Sequence, residues 1–263
     1  RAISAAEAAQ SELAAGIARV EHVGGPVASE FADVSAWRAW ASSNEDFQPV
    51  RLGYTRVDLP GIPDAIKAMP ELQTLRARYT ALSSALAELK LPSLFPIQEG
   101  RSALLEVTDG GTAASGASIA RNAVFRLLSQ SPAGKIQFTF IDPVELGQNV
   151  ADFLALDDGG ADVTGGKAWT DPRQIEDKLA EMTSHVETVI QRYLRDDYAD
   201  IDAYNEVVGE LALPYRVLVL FNFPCNITAQ AFHHLERITV NPLIPMLISL
   251  QRLIHNHVSS TAN

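Results

Sequence analysis

The sequence is short of cysteine, of basic residues and of long apolar runs, and each shortage removes a class of protein. A single thiol, Cys225, leaves neither a disulfide framework nor a thiolate zinc site to be built within the chain, and a reducing, cytoplasmic setting is expected. With 21 Lys and Arg against 32 Asp and Glu, the formal charge of -11 argues against a broad basic surface and against direct DNA binding by this chain. No apolar run reaches the roughly 20 residues that a membrane-spanning helix needs, so no membrane partner is expected. The longest, Pro242 to Leu250, is interrupted by Pro245 and reads as a buried strand. The first residues, Arg1-Ala2-Ile3-Ser4, carry neither an initiator Met nor a signal-peptide core, so the expectation is a piece of a longer protein.

What is plentiful is apolar surface. At 47% of 263 residues it suffices for a sizeable core. Residues 4 to 20 are rich in Ala and Glu, with Leu13, Ile17 and Val20 at helical spacing, which predicts an amphipathic helix ending before Gly24-Gly25. Val50 to Leu59 alternates around Gly53, as a bent strand or small hairpin does. A helix is predicted from Pro63 to Lys90, with Pro70 as a kink or new start. Trp37 and Trp40, three apart, are read as anchors of this N-terminal layer to the core rather than as base-binding residues.

From Ala103 the texture changes to short apolar runs separated by long amphipathic stretches, the pattern of a mainly parallel α/β sheet with helices on both faces. The runs are Ala103 to Val107, Ile136 to Ile141, Arg216 to Phe221 and Ile244 to Leu250, and a long helix is predicted over Asp171 to Asp197. Thr170 or Asp171 caps it, and Pro172 suits its first turn. The expected organisation is a helical segment over 1–47, an accessory strand and helix layer over 48–100, and a core domain over 101–263.

After the first of those runs comes Gly111-Thr112-Ala113-Ala114-Ser115-Gly116-Ala117-Ser118. A phosphate-binding loop needs Gly, four residues, Gly, Lys and a hydroxyl between strand and helix, because its backbone N–H groups cradle the phosphates. Every element is present except the lysine, replaced by Ala117.

This loop resembles the G-T-T-G-S-G-K-S of FtsK/SpoIIIE translocases, a family that includes the motors of type VII secretion. Phe140-Ile141-Asp142-Pro143 resembles that family's I-D-P, and Trp169-Thr170-Asp171-Pro172 through Glu181-Met182, Gln191-Arg192-Tyr193 and Ile201-Asp202-Ala203-Tyr204-Asn205 resembles its T-D…E-M-E-R-R-Y…I-x-x-Y-N. Leu213 to Leu220 is similar to the strand before its acidic Walker B pair, and Leu247 to Arg252, with Gln251, to its L-A-T-Q-R sensor strand. Order and spacing agree over about residues 100 to 255. The resemblance implies a P-loop, RecA-like fold and a place in a multidomain motor, with other domains or subunits of the same protein as partners.

The departures are as specific as the matches. Phe221-Asn222 stand where the family has Asp-Glu, and Ala117 where it has Lys. In a working site the lysine neutralises the β and γ phosphates, while the hydroxyl and the Walker B acid hold magnesium. Only Ser118 remains, so no catalytic residue and no metal ligand is assigned. Losing one charge-assisted hydrogen bond of about 1.5–3 kcal/mol weakens triphosphate binding by about one to two orders of magnitude, so ATP or ADP would be held weakly if at all.

Three functions follow. The first is a hydrolytically inactive module with a structural or regulatory role. The second is an ATP-binding domain completed in trans by a neighbouring subunit, and the third a module that takes a partner peptide in the vacated pocket. His233-His234 and His255-Asn256-His257 lack the companions of a metal site and are read as solvated helix or tail histidines, and Asp157-Asp158 with Asp162, which does not fit an EF-hand, is read as a flexible acidic loop. Cys225 is read as a small packed residue, Asn226-Ile227-Thr228 as an incidental glycosylation spelling, and Arg195-Asp196-Asp197 as surface.

Overall fold

The computed structural model describes residues 2–20, 35, 49–56, 59–62, 64–96, 102–106, 113–131, 134–159, 162–194, 198–209, 212–240, 243–244 and 246–250. The readings made on Trp37, Trp40, Gly111, Thr112, 195–197, Gln251 and 255–257 lie outside the described residues. Two compact units divide the chain, Arg1–Phe95 and Pro96–Asn263.

In the first unit the predicted amphipathic helix is α1, Ala2–Val20. Strand β1, Val50–Arg56, pairs antiparallel with β2, Lys90–Phe95, and its register slips between Arg51 and Gly53, at the glycine that marked a bend. The helix predicted over Pro63 to Lys90 is broken: α2, Asp64–Lys67, is followed by a 3-10 turn opened by Pro70 and then by α3, Gln73–Glu88. Proline has no N–H to continue the first helix but starts the next turn at no loss. Strand β2 is invisible to periodicity because Pro92 argues against a ladder position, yet in a two-stranded sheet every strand is an edge and tolerates it. Arg78 of α3 grips Glu7 of α1 through both Nε and a terminal nitrogen.

The second unit is built on a five-stranded sheet in which every paired neighbour is parallel, in the order β3-β7-β6-β4-β5. Its strands are β3 Ala103–Glu106, β4 Ile136–Ile141, β5 Ala168–Trp169, β6 Tyr215–Phe223 and β7 Met246–Leu250. Helices α4, Ala113–Gln130, and α5, Ala151–Leu154, follow β3 and β4. Helix α6, Pro172–Val189, runs on into a π turn over Ile190–Leu194, so the helix predicted to Asp197 changes pitch at Ile190. Helices α7, Ile201–Val208, and α8, Ala229–Thr239, complete the unit.

Strand alternation separates two cores. On one face Leu218 and Leu220 of β6 and Ile141 of β4 join Ile175, Leu179, Met182 and Val186 of α6 and Leu235 and Ile238 of α8 in one buried cluster. At about 1.5–3 kcal/mol for each large side chain removed from water, this cluster is a large stabilising term for the unit. None of the buried stripe of α4, with Ala120, Val124 and Leu127 inaccessible, belongs to it. On the opposite face Phe138 stacks on Phe140 at 5.7 Å, and Phe140 on Phe153 of α5 at 6.2 Å. The sheet is therefore covered on both faces, as the apolar runs predict.

Asp171 accepts from the N–H groups of Arg173 and Gln174 at 3.0 and 3.2 Å, and Pro172 occupies the first turn of α6. Of the two residues that can cap this helix, the aspartate does so.

Candidate functional site

The segment matched to a phosphate loop lies between β3 and the body of α4. From Ala113 onward it is helical, so the N–H groups of Ala117 and Ser118 bond to the carbonyls of Ala113 and Ala114. A phosphate cradle depends on N–H groups that the helix has not consumed. Gly116 and Ala117 are buried, Ala117 at 6% exposure, whereas Ser115 and Ser118 are exposed.

Strand β7 lies between β3 and β6, which puts the segment matched to the sensor strand between the strands that precede the Walker A-like and Walker B-like positions. With strands about 4.8 Å apart, the ends of β3 and β6 are separated by about 10 Å. Phe221 is 1% exposed and Asn222 5%. Between Leu220, opposite Ile248, and Phe223, opposite Leu250, β6 carries one residue more than β7, and Asn222 takes up that bulge at φ 54°. Asn tolerates this left-handed backbone better than most side chains. Its carbonyl accepts from the Cys225 N–H at 2.9 Å, closing the turn that follows.

The nearest carboxylate on the neighbouring strand is Asp142, one residue beyond β4, fully buried. One of its oxygens accepts from the N–H groups of Gly147 and Asn149, both at 3.1 Å, and the other from Asn149 Nδ2 at 3.1 Å. The I-D-P aspartate thus organises the loop over 142–149. Gly147 is required there, because its φ is 87° and a Cβ would lie 3.1 Å from that of Ala168.

The remaining sequence candidates are dispersed. His233 faces Glu236 at 3.6 Å and His234 lies 3.4 Å from Thr183 Oγ1, so adjacent histidines serve different neighbours. Cys225 is half-buried. Thr228 caps α8, accepting from Ala231 N–H at 3.0 Å and donating to Glu176 of α6 at 2.5 Å. Asp157 accepts from Val163, Thr164 and Gly166. Burial alone would raise its pKa, but the hydrogen bonds from Thr164, Val163 and Gly166 outweigh it and hold the carboxyl below its ordinary range. Among the described residues no three His, Cys, Asp or Glu side chains come together as a metal site, and no helix is long and apolar enough to cross a membrane.

A cleft of about 190 Å³ opens at the other end of the sheet, lined by Gln137 and Thr139 of β4, Trp169 of β5, Lys178 and Glu181 of α6, and Arg216 of β6, with Asp162 at the side. Gln137 and Arg216 are direct register partners, which puts both side chains on the α6 face. The Nε of Arg216 is buried without a hydrogen-bond partner among the described residues, an arrangement that costs about 1–3 kcal/mol when left unmet. Burial lowers the Arg216 pKa, and Glu181 and Asp162 draw it back up. Lys178 is held by both oxygens of Glu181 at 2.9 and 3.0 Å, and Lys167 sits 3.7 Å over the Trp169 ring. Sequence reading passes over this cleft. Its one signal is the charge of Arg216 at the head of an otherwise apolar strand.

No protein-family model matches the sequence, and no curated protein is similar to it in sequence. Among solved structures the chain is similar to the cytoplasmic domain of the Thermomonospora curvata type VII secretion ATPase EccC, at 18% identity and a TM-score of 0.48, over 62% of this chain and 20% of that one. It is also similar to EssC, ATPases 2 and 3, from Geobacillus thermodenitrificans, at 14% identity and 0.49, over 78% and 33%. The pCW3 conjugation coupling protein TcpA, solved with ATPgS, follows at 11% and 0.43, over 93% and 77%. The chain spans between a fifth and a third of the EccC and EssC structures. What it does has to be read from its own residues.

Proposed function

We propose that this chain is an FtsK/SpoIIIE-type P-loop domain, RecA-like in its sheet, that does not hydrolyse ATP and serves as a structural or regulatory module of a larger multidomain motor. The observation that carries the reading is the pair Phe221 and Asn222, which the sequence resemblance aligns with the family's Walker B acids and which are buried, the first fully apolar and the second in a left-handed bulge. Neither offers the anionic oxygen that magnesium requires. The early start of α4 and the burial of Ala117 support the same reading from the phosphate side.

The test is calorimetric titration of the whole chain with magnesium-ATP and with ADP, together with a phosphate-release assay. The expected result is no turnover and no saturable binding below about millimolar nucleotide, given the lost charge-assisted contacts. Magnesium-dependent turnover abolished by Ser118→Ala overturns the proposal. Turnover that appears only when a neighbouring domain is added in trans replaces it with an active site shared between subunits.

A further inference from the structure

We propose that the cleft at the head of β4 and β6 is a binding site for a single carboxylate group, held by the Arg216 guanidinium. It is remote from the nucleotide-like end: five residues along β6 separate Arg216 from Phe221, about 16 Å at strand rise.

Three observations carry the assignment. Arg216 lines the cleft and makes no hydrogen bond or ion pair from its side chain among the described residues, its Nε being buried beneath the polar lining without a partner. Arginine offers a planar fork whose paired donors match a carboxylate edge on. The second observation is charge. Among the lining residues Lys178 and Arg216 balance Asp162 and Glu181, with Glu181 already bound to Lys178 and Asp162 accepting from Gln137 at 3.3 Å, and Lys167 over the Trp169 ring adds one positive charge beside the lining. A local excess of one positive charge in a chain of -11 matches a monoanion, and the two carboxylates at the side disfavour a dianionic phosphate.

The third observation is size. A space of about 190 Å³ holds an acidic side chain or a small organic acid and falls short of the roughly 300 Å³ at which ligand pockets for larger molecules begin. Thr139 and Gln137 on the floor and the Trp169 ring at the wall supply the polar and flat contacts for the group behind the carboxylate.

The experiment follows the Arg216 Nε–H and Trp169 indole N–H resonances of the whole chain, with Trp169→Phe assigning the indole. It is titrated with sodium acetate, with a blocked Gly-Glu-Gly peptide, and with inorganic phosphate and chloride at matched ionic strength. Saturable shifts with acetate, the peptide or both, absent with chloride and weaker with phosphate, are expected. Shifts with acetate alone assign a free acid, and tighter saturation by the peptide assigns a polypeptide side chain. Arg216→Gln should abolish the indole response while leaving the circular dichroism spectrum unchanged, and Lys178→Gln should weaken it several-fold. Absence of saturation with both carboxylates, stronger binding of phosphate, or an undiminished response in a folded Arg216→Gln variant overturns the proposal. None of these outcomes depends on whether nucleotide binds.

Discussion

Asp142 accepts from both the backbone N–H and the side-chain amide of Asn149, each at 3.1 Å, inside a site closed to solvent. The sequence resemblance matches this aspartate to the family's I-D-P, and its oxygens are occupied by the chain's own donors. Replacing it with Asn sets an amide NH₂ against those donors. We expect Asp142→Asn to lose about 1–3 kcal/mol in urea unfolding and to leave nucleotide and magnesium titrations unchanged.

Restoring the missing chemistry should fail in this chain. Ala117 is buried in a helix that has already consumed its N–H, so a lysine there must be desolvated or must push the helix away from the sheet. Ala117→Lys combined with Phe221→Asp and Asn222→Glu is expected to release no phosphate and to destabilise by at least about 2 kcal/mol. Turnover in the triple variant would show that the site is a motor lacking only three side chains.

Two caps can be compared because their surroundings differ. Asp171 serves only the first turn of α6, whereas the Thr228 hydroxyl caps α8 and also reaches Glu176 of α6. Asp171→Ala should cost about 1 kcal/mol. Thr228→Ala should cost about 2 kcal/mol, because a cap and an interhelical hydrogen bond go together. Equal losses in urea titrations would mean that the contact with Glu176 contributes nothing.

His185, half-buried on α6, has its pKa pushed below the ordinary 6.5, first by burial and then by the charge of Arg216, with Lys178 acting in the same direction and Glu181 against it. Well above pH 6.5 the ring is neutral in both states and adds no pH dependence. As pH falls below 6.5 the unfolded chain takes up a proton that the folded one resists, so stability declines until the lower folded pKa is reached. Thermal melting from pH 7.5 to 5.5 should show the decline, and His185→Gln should flatten it. Arg216→Gln should raise the His185 pKa in an NMR titration.

Much of the second unit is legible along the chain because it depends on neighbours in sequence. Four apolar runs of strand length, the Asp171-Pro172 start of α6 and the absence of acid at 221 and 222 are local facts; each run holds a strand, the third longer at both ends than read and the fourth starting two residues later, at Met246. The strand β2 is not legible, since what makes Pro92 acceptable is that its strand has a single partner, β1, some forty residues earlier.

The sequence alone determined the alternation of strand and helix, and with it a parallel sheet covered on both faces, since period and capping are set within a few residues. It also determined that no lysine stands at 117 and no acid at 221 or 222. Tertiary structure alone decided that β7 lies between β3 and β6, that Asn222 takes up a bulge, that Asp142 is sealed by Asn149, and that Arg216 meets Lys178 and Trp169 in a cleft. Register and desolvation depend on residues distant along the chain, and no local pattern records which of them will meet.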